Sequence, residues 1–220
     1  MNLAQASVPP RASVPDPAHG WSGEQGAQWA TRNPTVVAAL DAHYLTVYGV
    51  ERTVLNRWVL EGVPLSATVL EVGCSAGAQL NAMAAVGFTS LEGCDISADA
   101  LKACPWPNKL ADGRALPYAD GSFDVVMTSG TLMQIPPGAK GQFVSECYRV
   151  AKRWVYGVEG ANEGRGRTWE FQGLIPNAWT EHYPETILRP GWRVVRDRWL
   201  YHYEGENKVH LRAYLLEREG

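Results

Sequence analysis

A carboxylate and three small residues stand close together in the segment VLEVGCSAGAQL, residues 69–80. Glu71 lies in an apolar run, and Gly73, Ser75 and Gly77 follow it at alternate positions. Small residues after a buried strand allow the backbone to contact a ligand where the strand turns into a helix. We interpret the segment as the ligand-binding turn of an open α/β sheet, with tight strand-to-helix packing as the structural alternative.

A second acid, Asp95, closes the next predicted strand in the segment SLEGCDIS. A carboxylate at the end of the second strand is placed to accept hydrogen bonds from both hydroxyls of a ribose. Capping of the following helix is the alternative role for Asp95, but Ser97 already suits that role. We therefore predict that the ligand contains a nucleoside, and we count Ile96 among its contacts.

Two cofactors fit a nucleoside site of this kind. Residues 73–78 read GCSAGA and differ at one position from the GxGxxG/A fingerprint of dinucleotide-binding proteins, so an NAD-dependent oxidoreductase or epimerase stays open. Glu71 favours a different ligand, because an acid before the turn is unfavourable beside a pyrophosphate. The same acid can organise the turn around the ammonium group of a methionine moiety.

Strand-like and helix-like segments alternate along the middle of the chain, which predicts right-handed βαβ units and a parallel sheet covered on both faces. Two further runs, 192–203 and 208–217, flank a polar turn and predict an antiparallel hairpin at the end of the chain. The predicted strands of the first part are 68–72, 90–94, 108–111, 123–129 and 153–159, and the helices are 78–87, 97–103 and 141–151.

The N-terminal part differs in composition from the rest. Residues 1–20 are rich in proline, alanine and serine and have little to bury, which predicts a disordered tail. Residues 21–66 carry apolar residues at helical spacing and predict two or three helices that cap the core, residues 67–220. We thus expect a single domain over residues 21–220.

Composition narrows the function further. The chain has 220 residues, of which 45% are apolar, and a net charge of −3, so bulk charge gives no indication of a nucleic-acid or membrane surface. The four cysteines have no CxxC or Cys/His ligand spacing, and we expect no metal site. Without a secretory signal pattern or an apolar run of about 20 residues, we expect a cytoplasmic protein, monomeric or homodimeric, with a small-molecule substrate.

The chain resembles the class I S-adenosylmethionine-dependent methyltransferases over residues 68–217. Residues 71–77 match the first motif of that family, with Ser75 in place of the more usual middle glycine, and Asp95 matches its ribose-binding acid. The segment ADGRALPYADGSFDVVMTSGTLMQIPP, residues 111–137, matches the third and fourth blocks.

This resemblance implies a fold and a cofactor. The fold is a Rossmann-like α/β sandwich whose seven-stranded, mostly parallel sheet has the strand order 3-2-1-4-5-7-6, and the cofactor is S-adenosyl-L-methionine. The resemblance also implies that Asp112 reaches the adenine amino group and that the amide of Gly113 lies on the ring. Ser129, at the end of the fourth predicted strand, is a further candidate contact, or it satisfies loop backbone instead.

A narrower resemblance concerns the acceptor of the methyl group. The segments GWSGEQGAQWATRN, YGVERTVLNRWVLEG, FDVVMTSGTLMQIPP and YRVAKRWVYGVEG together resemble the methylases associated with pseudaminic acid biosynthesis. That likeness implies a sugar, a nonulosonic acid or another secondary metabolite as acceptor. Gln134 stands where a histidine is common in those proteins, which is a departure from their pattern.

Methyl transfer from a sulfonium needs mainly positioning, and a base only where the acceptor starts protonated with a high pKa. His182 and Tyr183 are the first candidates, in a segment, 160–185, expected to be a mobile loop with aromatic side chains. His43 is a second candidate, on an N-terminal helix, and Gln134 could orient the acceptor. Core packing is the alternative for all the aromatic residues, and a non-catalytic binding subunit with a methyltransferase-like fold stays open.

Overall fold

The computed structural model describes residues 21–32, 35–161, 168–171, 175–202 and 210–220. The helices are α1 (Glu24–Arg32), α2 (Val37–Tyr48), α3 (Arg52–Val59), α4 (Ala78–Val86), α5 (Ala98–Lys102) and α6 (Pro137–Val150). The strands are β1 (Thr68–Val72), β2 (Ser90–Asp95), β3 (Asn108–Leu110), β4 (Phe123–Ser129), β5 (Ala151–Ala161), β6 (Thr168–Phe171), β7 (Ile175–Trp179), β8 (Trp192–Leu200) and β9 (His210–Arg218).

Seven strands form one sheet with the order β3-β2-β1-β4-β5-β9-β8. The five strands from β3 to β5 run parallel, and β9 pairs antiparallel with both β5 and β8. Counting β8 and β9 as the sixth and seventh strands gives the order 3-2-1-4-5-7-6. The predicted fold is therefore confirmed, including the antiparallel hairpin at the end of the chain.

The strand β1 explains why the sheet is covered on both faces. Val69 belongs to one hydrophobic cluster, together with residues of α2, α3 and α4, whereas Leu70 and Val72 belong to a second cluster with residues of α6. All three side chains are buried. A strand that is buried on both faces reads as a continuous apolar run, as TVLEV does, and the buried acid Glu71 is the exception within it.

Two parts of the chain differ from the sequence predictions. Helix α6 begins at Pro137, earlier than predicted, because proline at the first helical position has the φ that a helix needs and lacks an N–H that would go unused. The predicted mobile loop 160–185 contains the strands β6 and β7, which pair with each other antiparallel. Their threonine, isoleucine and aromatic residues favour strands. The tail 1–20 and the turn 204–207 lie outside the described residues.

A buried arginine joins the N-terminal helices to the sheet. Arg52, the first residue of α3, is fully buried, and its guanidinium donates hydrogen bonds to Tyr44 Oη at 2.8 Å and to Asn56 Oδ1 at 2.9 Å. It also donates to Ser129 Oγ at 3.1 Å and to Tyr156 Oη at 3.4 Å, on β4 and β5. The cap and the core thus share one polar network.

We expect the substitution Arg52→Ala to lower the free energy of unfolding by about 3–5 kcal/mol. The substitution leaves the neighbouring buried carboxylate of Glu71 without a nearby positive charge and removes the donor to the hydroxyls of Tyr44 and Ser129. Denaturant unfolding measures the loss. Arg57→Ala is the control, because Arg57 is exposed on the same helix and its removal should change stability by no more than about 0.5 kcal/mol. Similar losses in both variants would contradict the assignment.

Candidate active site

The carboxyl ends of β1, β2, β3 and β4 meet at one cavity of about 430 Å³. Its wall includes residues 71–76, 95–97, 111–114, 129–131 and 133–136, which lie at or after the ends of these four strands. Further parts of the wall come from α1 and α2, from the residues before these helices, and from α4, α5, α6, β5 and β9. Ligands of open α/β sheets bind at this edge, so the cavity has the position that the sequence predicts for the ligand.

The turn after β1 has a backbone that requires small residues. Gly73 has a φ of 83°, and a Cβ placed on it would lie 2.5 Å from Oγ1 of Thr131, closer than any side chain tolerates. Gly77 has a φ of 81° and precedes α4, but it does not line the cavity. Ser75 has a φ of 48°, a left-handed conformation that is costly for a residue with a side chain. The turn is therefore held in a strained conformation beside the cavity.

Asp95 fixes this turn to the end of β2. Its Oδ2 accepts a hydrogen bond from the amide of Ser75 at 2.8 Å, and its Oδ1 accepts one from the amide of Ser97 at 2.8 Å. Burial raises the pKa of Asp95, and the amide hydrogen bonds, including one from Ile96, oppose that rise. A carboxylate can accept about four hydrogen bonds, which leaves capacity for a ligand hydroxyl. Asp95, Ile96 and Ser97 all line the cavity.

Glu71 places a buried carboxylate in the cavity wall. Its side chain is 1% exposed, and within the described part of the chain its Oε2 has no hydrogen-bond partner. Burial raises the pKa of Glu71 well above its usual range, whereas the positive charge of Arg52 and the amide of Leu80 lower it. A buried acceptor without a partner is costly unless a ligand supplies a donor. An ammonium group would supply both a donor and a charge.

The turn after β3 carries a carboxylate that is already paired. Arg114 donates to both oxygens of Asp112, with Nη2 2.6 Å from Oδ2 and Nε 3.0 Å from Oδ1, and this pairing lowers the pKa of Asp112. A Cβ on Gly113 would lie 2.2 Å from the ring of Phe143, so glycine is needed for the contact. A ligand amino group at Asp112 would have to share the carboxylate with Arg114, a residue that the sequence reasoning did not single out.

Two of the four predicted catalytic residues line the cavity. His43 of α2 is exposed and Gln134, in a short 3-10 turn after β4, is buried, and both belong to the wall. In the structure as described, Oε1 of Gln134 is buried and has no hydrogen-bond partner. Ser129 also lines the cavity, and its hydroxyl accepts the hydrogen bond from Arg52.

His182 and Tyr183 do not line the cavity, so the predicted pair of bases lies elsewhere. His182 is exposed, with Nδ1 3.0 Å from a carboxylate oxygen of Glu185. Tyr183 is fully buried, and its hydroxyl accepts a hydrogen bond from Nζ of Lys140 at 3.0 Å. The physical reason is the ion pair between Lys140 and Glu181, which ties this segment to α6 at 2.6 Å instead of to the cavity.

Cysteine, metal and membrane features add little to the site. The four cysteines are free and buried. Across the ranges that the structure covers, no group of three or more His, Cys, Asp or Glu side chains could hold a metal ion. No helix within those ranges is long and apolar enough to cross a membrane.

Comparison with known proteins identifies the fold. Residues 70–155 match the model of a methyltransferase domain. Magnesium protoporphyrin IX methyltransferase from Synechocystis PCC 6803, solved with bound S-adenosylmethionine, is similar to this chain with a TM-score of 0.65 and 17% identity, covering 94% of this chain and 99% of the other. The structure has the class I methyltransferase fold.

Two further structures show the range of that fold. The 1,6-didemethyltoxoflavin-N1-methyltransferase of Burkholderia thailandensis, solved with 1,6-didemethyltoxoflavin and S-adenosylhomocysteine, has a TM-score of 0.63 and 15% identity, covering 95% of this chain and 93% of the other. The [4+2]-cyclase SpnF has a TM-score of 0.60 and 14% identity, covering 76% and 80%. No curated protein sequence matches this chain significantly. Identities this low establish the fold and not the reaction.

The strain at Ser75 leads to a prediction about stability. We expect Ser75→Gly to raise the free energy of unfolding by about 0.5–1 kcal/mol, because glycine adopts the left-handed conformation without the steric cost and keeps the amide that Asp95 accepts. Ser90→Gly is the control, because Ser90 begins β2, where glycine should destabilise by about 0.5–1 kcal/mol. Denaturant unfolding compares the two, and a loss of stability in Ser75→Gly would show that the turn is not strained.

Proposed function

We propose that this protein transfers a methyl group from S-adenosyl-L-methionine to a small-molecule acceptor. The observation that carries the proposal is the meeting of Asp95 and Glu71, one of whose carboxylate oxygens has no partner in the described structure, at one cavity beside the strained turn of residues 73–77. The match of residues 70–155 to a methyltransferase domain and the neighbours solved with S-adenosylmethionine or S-adenosylhomocysteine support it.

The residues around the cavity fit the parts of this cofactor. Asp95 would accept the ribose hydroxyls, and Glu71 would accept the ammonium of the methionine moiety. Gly73 allows the side chain of Thr131 to pack directly against the turn, and both residues line the cavity. Asp112 and Gly113 would meet the adenine, with Arg114 holding the Asp112 carboxylate in place. When bound, the cofactor supplies an electrophilic methyl group on a cationic sulfur.

The acceptor would enter beside His43 and Gln134. Leu40, Met133 and Leu211 add apolar surface to the same cavity, so water can be excluded around the reacting atoms. Holding two reactants in line accounts for most of the acceleration that such a transfer needs. Gln134 would accept a hydrogen bond from the acceptor, and His43 would take its proton where the acceptor is a hydroxyl.

Two likenesses, one in sequence and one in structure, indicate the class of the acceptor. The likeness to methylases associated with pseudaminic acid biosynthesis favours a sugar or a nonulosonic acid. The similar structures named for a magnesium porphyrin and for a toxoflavin precursor favour a small organic molecule more broadly. We infer a soluble metabolite as acceptor, and we place the protein in the cytoplasm as a monomer or homodimer, consistent with four free thiols.

The NAD-dependent alternative has less support. The dinucleotide-binding fold has the all-parallel order 3-2-1-4-5-6, whereas β9 here lies antiparallel between β5 and β8. A Tyr-x-x-x-Lys spacing, which some oxidoreductases use as a proton relay, occurs at Tyr148 and Lys152. The hydroxyl of Tyr148 donates to the Ile187 carbonyl, and Lys152 is exposed near Asp124. Neither residue lines the cavity.

Cofactor binding is testable without knowledge of the acceptor. We expect Asp95→Ala to weaken the affinity for S-adenosylhomocysteine at least 10-fold, about 1.4 kcal/mol, because charge-assisted bonds to the ribose are lost. Asp95→Asn keeps the shape of the side chain but removes its charge, and its affinity should lie between those of the wild-type protein and Asp95→Ala. Asp99→Ala is the matched control, because Asp99 lies exposed on α5 and pairs with Lys102. Calorimetry measures the affinities, and equal affinity in Asp95→Ala and Asp99→Ala would refute the assignment.

Turnover is testable with a radiolabelled methyl donor and a fractionated extract of small molecules. We expect the wild-type protein to label a metabolite, and His43→Asn to lower that rate by about 10²-fold or more if the acceptor is a hydroxyl. Affinity for S-adenosylhomocysteine should stay within about twofold. His182→Asn is the control, because His182 lies outside the cavity wall. Loss of turnover in His182→Asn with none in His43→Asn would reverse the assignment of the base.

A further inference from the structure

Glu159 is a fully buried carboxylate that lies behind the cavity wall. It belongs to β5, and its side chain is absent from the cavity lining. Its Oε1 accepts a hydrogen bond from the amide of Thr131 at 3.2 Å, and its Oε2 accepts one from the amide of Leu132 at 3.0 Å. The hydroxyl of Thr128 adds a third hydrogen bond. One carboxylate thus satisfies the consecutive amides with which the segment after β4 begins.

The segment that Glu159 holds touches both ends of the cavity. The side chain of Thr131 packs against Gly73, where a Cβ would lie 2.5 Å from Thr131 Oγ1. Met133 and Gln134, a few residues later, line the cavity on the proposed acceptor side. A shift of the amides of Thr131 and Leu132 would therefore move two parts of the cavity lining together. These are the contact of Thr131 with Gly73 and the side chains of Met133 and Gln134.

We propose that Glu159 is a positioning residue of the transferase site, whose ionised carboxylate holds the segment 131–135 in the conformation that binds cofactor. The proposal rests on the proposed function, because it concerns the same cavity. When the carboxyl group is protonated, one of its oxygens carries a hydrogen and the group has no negative charge. Charge-assisted hydrogen bonds are stronger than neutral ones, so loss of the charge loosens the segment.

The surroundings of Glu159 bring the pKa of its carboxyl group close to neutral pH. The described elements around Glu159 carry several titratable or charged groups. These groups are Lys140 and Cys147 of α6, Glu181, Tyr183, and two residues of β9, Tyr214 and Arg212, of which Arg212 is the cross-strand neighbour of Glu159. Burial raises the pKa of Glu159 to about 7, against the effect of its hydrogen bonds and of Lys140. The ionised form therefore disappears as the pH falls below about 7.

The test measures the affinity for S-adenosylhomocysteine by calorimetry at pH 6, 7 and 8. In the wild-type protein we expect the affinity to rise at least about threefold from pH 6 to pH 8, as the carboxylate ionises and both amides are held. Glu159→Gln should show a clearly weaker dependence on pH than the wild-type protein, and its affinity at pH 6 should not exceed the wild-type value at that pH. Equal pH profiles in the two proteins, or a flat wild-type profile, would overturn the proposal.

Glu146→Gln is the matched control. Glu146 accepts a hydrogen bond from the amide of Leu116 at 2.8 Å, yet neither residue lines the cavity. This variant should keep the wild-type dependence on pH, whereas a loss of that dependence would show that any amide-binding glutamate produces it. Because other titratable groups line the cavity, among them Glu71, whose pKa is raised by burial, the difference between Glu159→Gln and the wild type is the decisive quantity.

Hydrogen exchange of the wild-type protein covers the case in which Glu159→Gln fails to fold. After correction for the chemical exchange rate, the amides of Thr131 and Leu132 should exchange faster at pH 6 than at pH 8, and the amide of Leu116 should not. Equal protection of Thr131 and Leu132 at both values would overturn the proposal. Failure of the wild-type protein to bind S-adenosylhomocysteine at any pH would instead refute the proposed function, and hydrogen exchange would still decide the role of Glu159.

Discussion

The site depends on the way in which Asp95 ties two strand ends together. Its carboxylate accepts the amides of Ser75 and Ser97, so the turn after β1 and the turn after β2 have one fixed separation. That constraint makes the left-handed conformation of Ser75 tolerable, because the amide of Ser75 donates to a half-buried carboxylate. The carboxylate can keep both of these amide bonds and still accept a hydrogen bond from a nucleoside.

Buried charge accumulates at the same edge of the sheet. Glu71, Glu159 and Arg52 are all fully or almost fully buried, and each lies in or just behind the cavity wall. Burial of a charge is unfavourable unless hydrogen bonds and opposite charges compensate for it. Glu159 and Arg52 have such partners within the chain, whereas Glu71 has an oxygen without one in the described structure. A ligand with a hydrogen-bond donor would thus supply the partner that this oxygen of Glu71 lacks.

The alternation of strand-like and helix-like segments was sufficient to predict a parallel sheet with an antiparallel hairpin at its end, whereas the strand order was predicted from the resemblance to a known family. Glycines and acids at strand ends have fixed positions relative to their strands, so Glu71, Gly73 and Asp95 could be placed at the ligand-binding edge from the sequence. Asp112 was placed there by the resemblance. The buried network of Arg52 could not, because its partners come from α2, β4 and β5, far apart in sequence, and no local signal marks a buried arginine. The strands β6 and β7 were missed because glycine and arginine surround them in the sequence.

Two of the four residues that were predicted to be catalytic, His182 and Tyr183, lie away from the cavity for a related physical reason. An aromatic-rich segment after the fifth strand can cover a ligand or pack against a neighbouring helix, and its composition is the same in both cases. One ion pair, between Lys140 and Glu181, decides the matter for His182 and Tyr183 by holding them beside α6. His43 and Gln134 reach the cavity because the elements that carry them are fixed by other contacts: the network of Arg52 holds α2, and Glu159 holds the turn after β4. The placement of side chains on the proposed acceptor side is therefore a product of tertiary contacts, and these vary among proteins that share the fold.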